Sequence, residues 1–246
     1  MDTIILGDGR LGRAIDDALR ARGDRVRLIG RPPGGLDSHD PSTLAGADVV
    51  VDASRAESVA ANVEAAVLAG CRRLVIATTG WQAQTGRVAS TLERGGAAAV
   101  VAPNLAIGSA VFLRLIDEAA RLFASLAEFE PYVLEWHRRA KADRPSGTAR
   151  EIVRRIASHG ATVKPEVAVI RAGAAPGMHL VGFDAPSETI ELRLTARDRS
   201  GYAAGALAAA DWLLATQRAP GIHPFDSVVD DLLAAPAAGR PIVTAA

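Results

Sequence analysis

The stretch Thr3-Ile-Ile-Leu-Gly-Asp-Gly-Arg-Leu-Gly12 (TIILGDGRLG) passes from a short β-branched apolar run directly into G-x-G-x-x-G. A helix follows, read from Leu11, Ile15, Ala18 and Leu19 on one face at a 3.6-residue period and from Gly23 as a left-handed stop. Val26-Arg-Leu-Ile29 is then a second strand. In this order each glycine has a mechanical task. Gly7 permits the tight turn, Gly9 lets a pyrophosphate approach the backbone, and Gly12 lets helix and strand pack closely, with the anion at the helix N-terminus. Arg10 and Leu11 lie within the same loop. An NAD site expects a carboxylate at the end of the second strand, to accept from the ribose 2′-hydroxyl. Gly30-Arg31 stands there instead, and a guanidinium favours the 2′-phosphate of NADP.

The pattern continues. Ala47-Asp-Val-Val-Val-Asp-Ala-Ser54 reads as a third strand, residues 57–69 as a helix, and Arg73-Leu-Val-Ile-Ala77 as a fourth strand ending in Thr78-Thr-Gly80. Residues 85–94 read as a helix and Ala98-Ala-Val-Val-Ala102 as a fifth strand ending in Pro103-Asn104. Alternating strands and helices predict a parallel sheet, whose ligands bind beyond the carboxyl ends of its strands. Those ends carry the glycine loop, Arg31, Ser54, Thr78, Thr79, Gly80 and Asn104.

The 246 residues, 49% hydrophobic, supply cores for one large domain or two modest ones. Lys and Arg total 28 and Asp and Glu total 28, so no global field attracts nucleic acid or an anionic membrane. Charge recognition must be local. The single cysteine, Cys71, excludes an intrachain disulfide and a multi-cysteine zinc site, and its setting is that of a core thiol. Met1-Asp-Thr lacks the basic start of a signal peptide, and the longest uncharged stretch, 95–113, is broken by Pro103 and Asn104. A cytoplasmic protein is expected.

Beyond residue 106 the alternation changes. A long amphipathic helix is expected over 107–126, then a strand, Tyr132-Val-Leu-Glu-Trp136, that delivers Glu135-Trp-His-Arg-Arg-Ala-Lys-Ala-Asp-Arg-Pro-Ser-Gly-Thr-Ala149. Thr148-Ala-Arg-Glu151 has capping-box spacing, which puts Ser146, Gly147 and Thr148 at a helix N-terminus with free N–H groups. With Arg138, Arg139 and Lys141, that end suits a small molecule carrying more than one carboxylate, and His137 can exchange a proton near neutral pH. Strand-like runs follow at 166–170, 179–183 and 187–194, the last alternating in polarity. An Ala-rich helix is expected over 203–215, and a Pro-rich closing segment over 219–246. His39, His159, His179 and His223 show no metal-ligand spacing, and no metal is expected.

At these residues the chain resembles the dihydrodipicolinate reductases, whose signature is similar to E-x-H-H-x-x-K-x-D-x-P-S-G-T-A. Glu135, His137, Lys141, Asp143, Pro145, Ser146, Gly147, Thr148 and Ala149 stand in register with it. Gly9-Arg-Leu-Gly12, Asp52-Ala-Ser54, Ala77-Thr-Thr-Gly80, Pro103-Asn104, Ile107-Gly108, Arg171-Ala-Gly173 and Gly177-Met-His179 extend the resemblance along most of the chain. It implies an α/β fold: an N-terminal Rossmann domain over 1–106, completed by 216–246, and an α+β substrate and oligomerisation domain over 107–215 with an open mixed sheet. A homotetramer is implied, with NADPH preferred and NADH possible, reducing dihydrodipicolinate to tetrahydrodipicolinate in lysine and diaminopimelate synthesis. His137 would be the proton donor and Lys141 its catalytic partner, with Arg138, Ser146, Gly147 and Thr148 binding substrate. Thr78, Thr79, Gly80, Ala102 and Asn104 would line the nicotinamide side, and Gly7, Gly9, Gly12 and Arg31 the phosphate side. Three positions depart from the pattern: Arg138 replaces the second histidine, Leu194 a histidine of the E-L-x-H run, and Ala53 the aromatic of D-F-T. They leave open a related imine dicarboxylate as substrate, or an NADP-binding sensor without turnover.

Overall fold

A computed structural model of the chain describes residues 1–32, 39–160 and 163–235, in two compact units: Met1–Ala106 with Tyr202–Ala246, and Ile107–Gly201. The chain runs through β1 (Asp2–Leu6), α1 (Arg10–Ala21), β2 (Arg25–Ile29), β3 (Val49–Asp52), α2 (Val59–Leu68), β4 (Arg73–Ile76), α3 (Thr85–Gly95) and β5 (Ala98–Val101). Next come α4 (Ile107–Phe123), β6 (Glu130–His137), α5 (Gly147–Ser158), β7 (Glu166–Arg171), β8 (Met178–Ala185) and β9 (Glu188–Thr195). It closes with α6 (Ser200–Ala215), β10 (Gly221–Pro224) and α7 (Phe225–Ala234).

In the first unit six strands lie in the order β10-β5-β4-β3-β1-β2, all parallel. Burial on both faces explains why β3, β4 and β5 are apolar without alternation. Ile4, Leu6, Val50, Leu74, Ile76 and Ala99 pack with Val63, Val88 and Leu92 of the covering helices. Because β2 lies on one side of β1 and β3 on the other, the chain reverses its direction across the sheet there, and such a reversal opens a crevice at the carboxyl edge. Gly205 in α6 lets that helix touch the backbone of Leu105, since a Cβ at 205 would collide with the Leu105 carbonyl oxygen.

The closing segment is more ordered than its composition indicates. Gly221–Pro224 pairs in parallel with β5, and α7 follows at once. Four residues with one β-branched side chain carry no readable period; the free edge of β5 recruits them, and Pro224 sits at the strand's last position, where its missing N–H is tolerated. The part of that segment at 236–246 lies outside the described residues.

The second unit is a four-stranded mixed sheet, β7-β6-β8-β9, parallel only between β6 and β7. Its inner face buries Val133, Val181 and Phe183 against Phe112 and Ile116 of α4 and Ile152 and Ile156 of α5. Leu194 packs on the same core, an apolar role for this departure from the family pattern. The outer face leaves Trp136 and Ile170, paired across β6 and β7, exposed by 40 and 41%. The capping box at Thr148 does not form. Ser146 caps α5, its Oγ accepting from Ala149 N at 3.2 Å, while Glu151 turns outward to Arg154 and Arg155, whose guanidinium bonds outcompete the return to the backbone. No helix among the described residues is long and apolar enough to cross a membrane.

Candidate active site

The first unit brings the glycine loop to the crevice between β1 and β3. Gly7 has φ +106°, and a Cβ there would strike the Ala53 carbonyl oxygen; a Cβ on Gly12 would overlap the Gly7 carbonyl oxygen. Gly9 faces open space, with nothing within 4 Å of its would-be Cβ. α1 starts at Arg10 with no side-chain cap and no acid in its first turn, so its N–H groups are available to an anion. A dinucleotide pyrophosphate fits this cradle. Arg10 is exposed and Leu11 half-buried, and Arg31 is exposed two residues beyond β2. A Cβ at Gly30 would lie 3.4 Å from the Asp8 carboxylate carbon, so the loop itself delivers an acid to the end of β2. The strand pattern shows only Arg31 there.

Asp52, 2% exposed, organises the neighbouring turns. Its Oδ1 accepts from Ser54 N at 3.0 Å, Ser54 Oγ at 2.8 Å and Thr78 Oγ1 at 2.6 Å, and its Oδ2 from Asn62 Nδ2 at 2.9 Å. Ser54 and Thr78 are thus fixed from beneath, while Thr79 and Gly80 stand exposed beyond β4. Ala102 follows β5 directly, and Asn104 Oδ1 accepts from Ala106 N at 2.9 Å, which shapes the following turn.

The second unit assembles His137, Lys141 and the start of α5. His137 ends β6 with its side chain 9% exposed. Lys141 Nζ is 2.7 Å from Asp143 Oδ1, and Lys141, with a smaller contribution from the Gly147 backbone, holds that carboxyl below its ordinary range. An internal acid therefore holds the cation beside the helix start in this structure. Arg138 is half-buried, Gly147 exposed and Thr148 half-buried. Ser146 is buried and engaged: its N donates to Glu135 at 3.0 and 3.2 Å, and its Oγ lies 3.1 Å from His179 Nε2.

Beneath His137 lies a group that no local motif outlines. Glu135 and Arg171 are both fully buried and paired at 2.6 Å, and the same Arg171 Nη2 donates to the Asp143 carbonyl at 2.5 Å. Glu135 Oε2 is 3.7 Å from His137 Nδ1 and 3.6 Å from His179 Nε2. One carboxylate oxygen and two imidazole nitrogens within 4.8 Å are donor types that transition metals accept. Arg171, on the other carboxylate oxygen, already neutralises Glu135. The residues come from three strands, β6, β7 and β8, so linear spacing of histidines does not reveal them.

Burial pushes the Glu135 carboxyl up, but bonds from Ser146 and Arg171 more than offset it, and the group ends below its ordinary range. Burial pushes His137 down, opposed by Glu135 and helped by Lys141 and Arg171. His179 is pushed down to about 4, first by burial and then by His137. Its folded value lies below the unfolded 6.5, so the unfolded chain takes the proton first on acidification. The stability this imidazole contributes is therefore complete above pH 6.5 and lost as pH falls toward 4, by about 3 kcal/mol at roughly 1.36 kcal/mol per unit. Urea unfolding across that range is expected to show the loss, and His179→Gln to flatten it; a flat wild-type profile would contradict neutral burial.

Family models described as dihydrodipicolinate reductase, N-terminus, and dihydrodipicolinate reductase, C-terminus, match residues 1–105 and 108–229. The chain belongs to the dihydrodipicolinate reductase family. A 4-hydroxy-tetrahydrodipicolinate reductase of Methanoregula boonei is 34% identical over 196 residues, 74% of each chain. That of Wolinella succinogenes is 34% identical over 202 residues, covering 74% of this chain and 77% of the relative. A dipicolinate-bound dihydrodipicolinate reductase from Paenisporosarcina sp. TG-14 superposes with a TM-score of 0.72, over 91% of this chain and 97% of that one, at 16% identity, a likeness of fold. The expected family, the Rossmann-type parallel sheet with a second mixed sheet, and the oxidoreductase class are borne out. Members of the dihydrodipicolinate reductase family bind NAD(P)H.

Proposed function

We propose that the chain reduces dihydrodipicolinate to tetrahydrodipicolinate with NADPH, in diaminopimelate and lysine synthesis. The observation that carries this reading is the second unit's pairing of a buried imidazole, His137, with a lysine and a capped helix start at Gly147 and Thr148. A cyclic imine dicarboxylate needs those groups: cationic and N–H donors for its carboxylates, and a proton source for the ring. One substrate carboxylate takes the place of Asp143 against the Gly147 amide and Lys141 Nζ, and Thr148 and Arg138 complete its setting. Ser146 acts from behind, as the cap that aims these amides. His137 supplies the proton. A bound nicotinamide would supply the hydride; Gly7, Gly9, Arg10, Leu11 and Gly12 would hold the cofactor's pyrophosphate, and Ser54, Thr78, Thr79, Gly80, Ala102 and Asn104 would border its nicotinamide side.

Arg31 is assigned to the 2′-phosphate, which makes NADPH the preferred cofactor and NADH the weaker one. We assign substrate to a domain over 107–215 and the dinucleotide to 1–106 completed by 216–246; of these, 202–215 in α6 belong to the compact first unit. The uncovered outer face of the mixed sheet, with Trp136 and Ile170, supports a homotetramer joined through that sheet, and a cytoplasmic location is proposed with it.

Dipicolinate, a planar pyridine dicarboxylate, tests the substrate class by calorimetry. It is expected to bind, and Lys141→Ala to weaken it at least about tenfold, the loss of one charge-assisted hydrogen bond of about 1.5–3 kcal/mol. Equal affinity in the variant would remove Lys141 and the dicarboxylate pose together.

A further inference from the structure

We propose that Glu135 is a positioning residue for the proton donor, holding the His137 Nδ1–H so that Nε2 is the nitrogen that exchanges a proton with substrate. The assignment rests on the reductase reading for its role in turnover, and on geometry for the pairing itself. His137 Nδ1 is buried and lacks a hydrogen-bond partner, which is costly for a polar atom in that setting. The Glu135 carboxylate oxygen lies 3.7 Å away, a separation of the kind that tightens when substrate completes a site. That oxygen accepts the Ser146 N–H at 3.2 Å and keeps a second lone pair for His137; His179 Nε2 is 3.6 Å from it but already meets Ser146 Oγ at 3.1 Å, and Arg171 takes the other oxygen, Oε1.

The carboxylate itself cannot wander. Arg171 from β7 and the Ser146 amide fix it, and its side chain is fully buried. On the opposite edge of the ring, a Cβ at Gly177 would come within 3.2 Å of His137 Nε2, so the absence of a side chain there leaves that nitrogen room. The charged and titratable groups facing the imidazole are Glu135 from its own strand, Arg171 from β7, His179 from β8, and Lys141 and Asp143 from the loop. Lys141 and Arg171 oppose an imidazolium, and of the carboxylates Glu135 is its chief support. A donor that must carry a proton beside two cations needs that support. The arrangement also makes one residue serve two ends, because Glu135 braces the Ser146 cap that aims the α5 amides.

Nitrogen-15 NMR of the histidine rings tests this without any turnover, with His137 assigned by its absence in His137→Gln. In wild type above the ring's pKa, the neutral His137 is expected as the Nδ1–H tautomer. In Glu135→Gln its pKa is expected to fall by about one unit or more, the effect of losing an opposite charge at this range, and in Glu135→Asp to return most of the way. The falling alkaline limb of kcat/KM should move with it. An Nε2–H tautomer in wild type, which needs no variant to fold, would overturn the proposal, as would an unchanged His137 pKa in folded Glu135→Gln. Absence of turnover on dihydrodipicolinate with the NMR results intact would remove the reductase reading and leave the Glu135–His137 pairing standing.

Discussion

Replacing His137 by Gln is expected to lower kcat by about 100- to 10,000-fold while the NADPH dissociation constant changes by less than about twofold. The size follows from what a positioned proton donor contributes, and the split follows from location. His137 ends β6 in the second unit, whereas the glycine loop and the Asp52 network belong to the first. Gln keeps a polar side chain of similar reach but has no proton to give near neutral pH. Single-turnover absorbance for kcat and fluorescence titration for NADPH separate the two quantities. A variant that keeps its kcat would move the proton donor elsewhere, and one that loses NADPH binding would show a fold-wide lesion.

Gly12→Ala is expected to weaken NADPH binding by about 100-fold or more, since an ångström of misplacement at a binding turn can cost that much. The added methyl would overlap the Gly7 carbonyl oxygen, so the loop has to open. Overpacking of this kind also costs about 1–3 kcal/mol of stability, visible as a lower melting temperature. Gly9→Ala separates folding from binding. Nothing lies within 4 Å of a Cβ at Gly9, so the melting temperature without ligand is expected to stay put while NADPH affinity drops, because the methyl stands where the pyrophosphate approaches. Undiminished affinity in Gly9→Ala would put the phosphates elsewhere.

The glycine loop shows how far a linear pattern reaches. Strand, G-x-G-x-x-G and helix lie within twenty residues; Gly7 makes the tight turn and Gly12 the close approach that their spacing predicts, and Gly9 faces open space. The basic stretch before α5 was legible for the same reason, as its cations and the helix start are neighbours in sequence. Where contacts join distant strands, the pattern is silent. Arg171 and His179 reach Glu135 only because β7 and β8 flank β6, and Asn62 reaches Asp52 only because α2 packs on the sheet. Thr148 shows a local signal losing to its surroundings: its partner Glu151 finds two arginines, and the smaller Ser146, braced by Glu135, takes the cap. β10 is formed by the open edge of β5, which its four residues cannot announce.

The measurement that bears most directly on the proposed activity is the loss of NADPH absorbance when purified protein meets dihydrodipicolinate generated in situ, repeated with NADH. Turnover with both, faster with NADPH and with that preference reduced in Arg31→Ala, is the expected result. NADPH binding without any oxidation of the cofactor would contradict it, and would leave a dinucleotide-binding protein whose Arg138 is the first position to exchange for histidine.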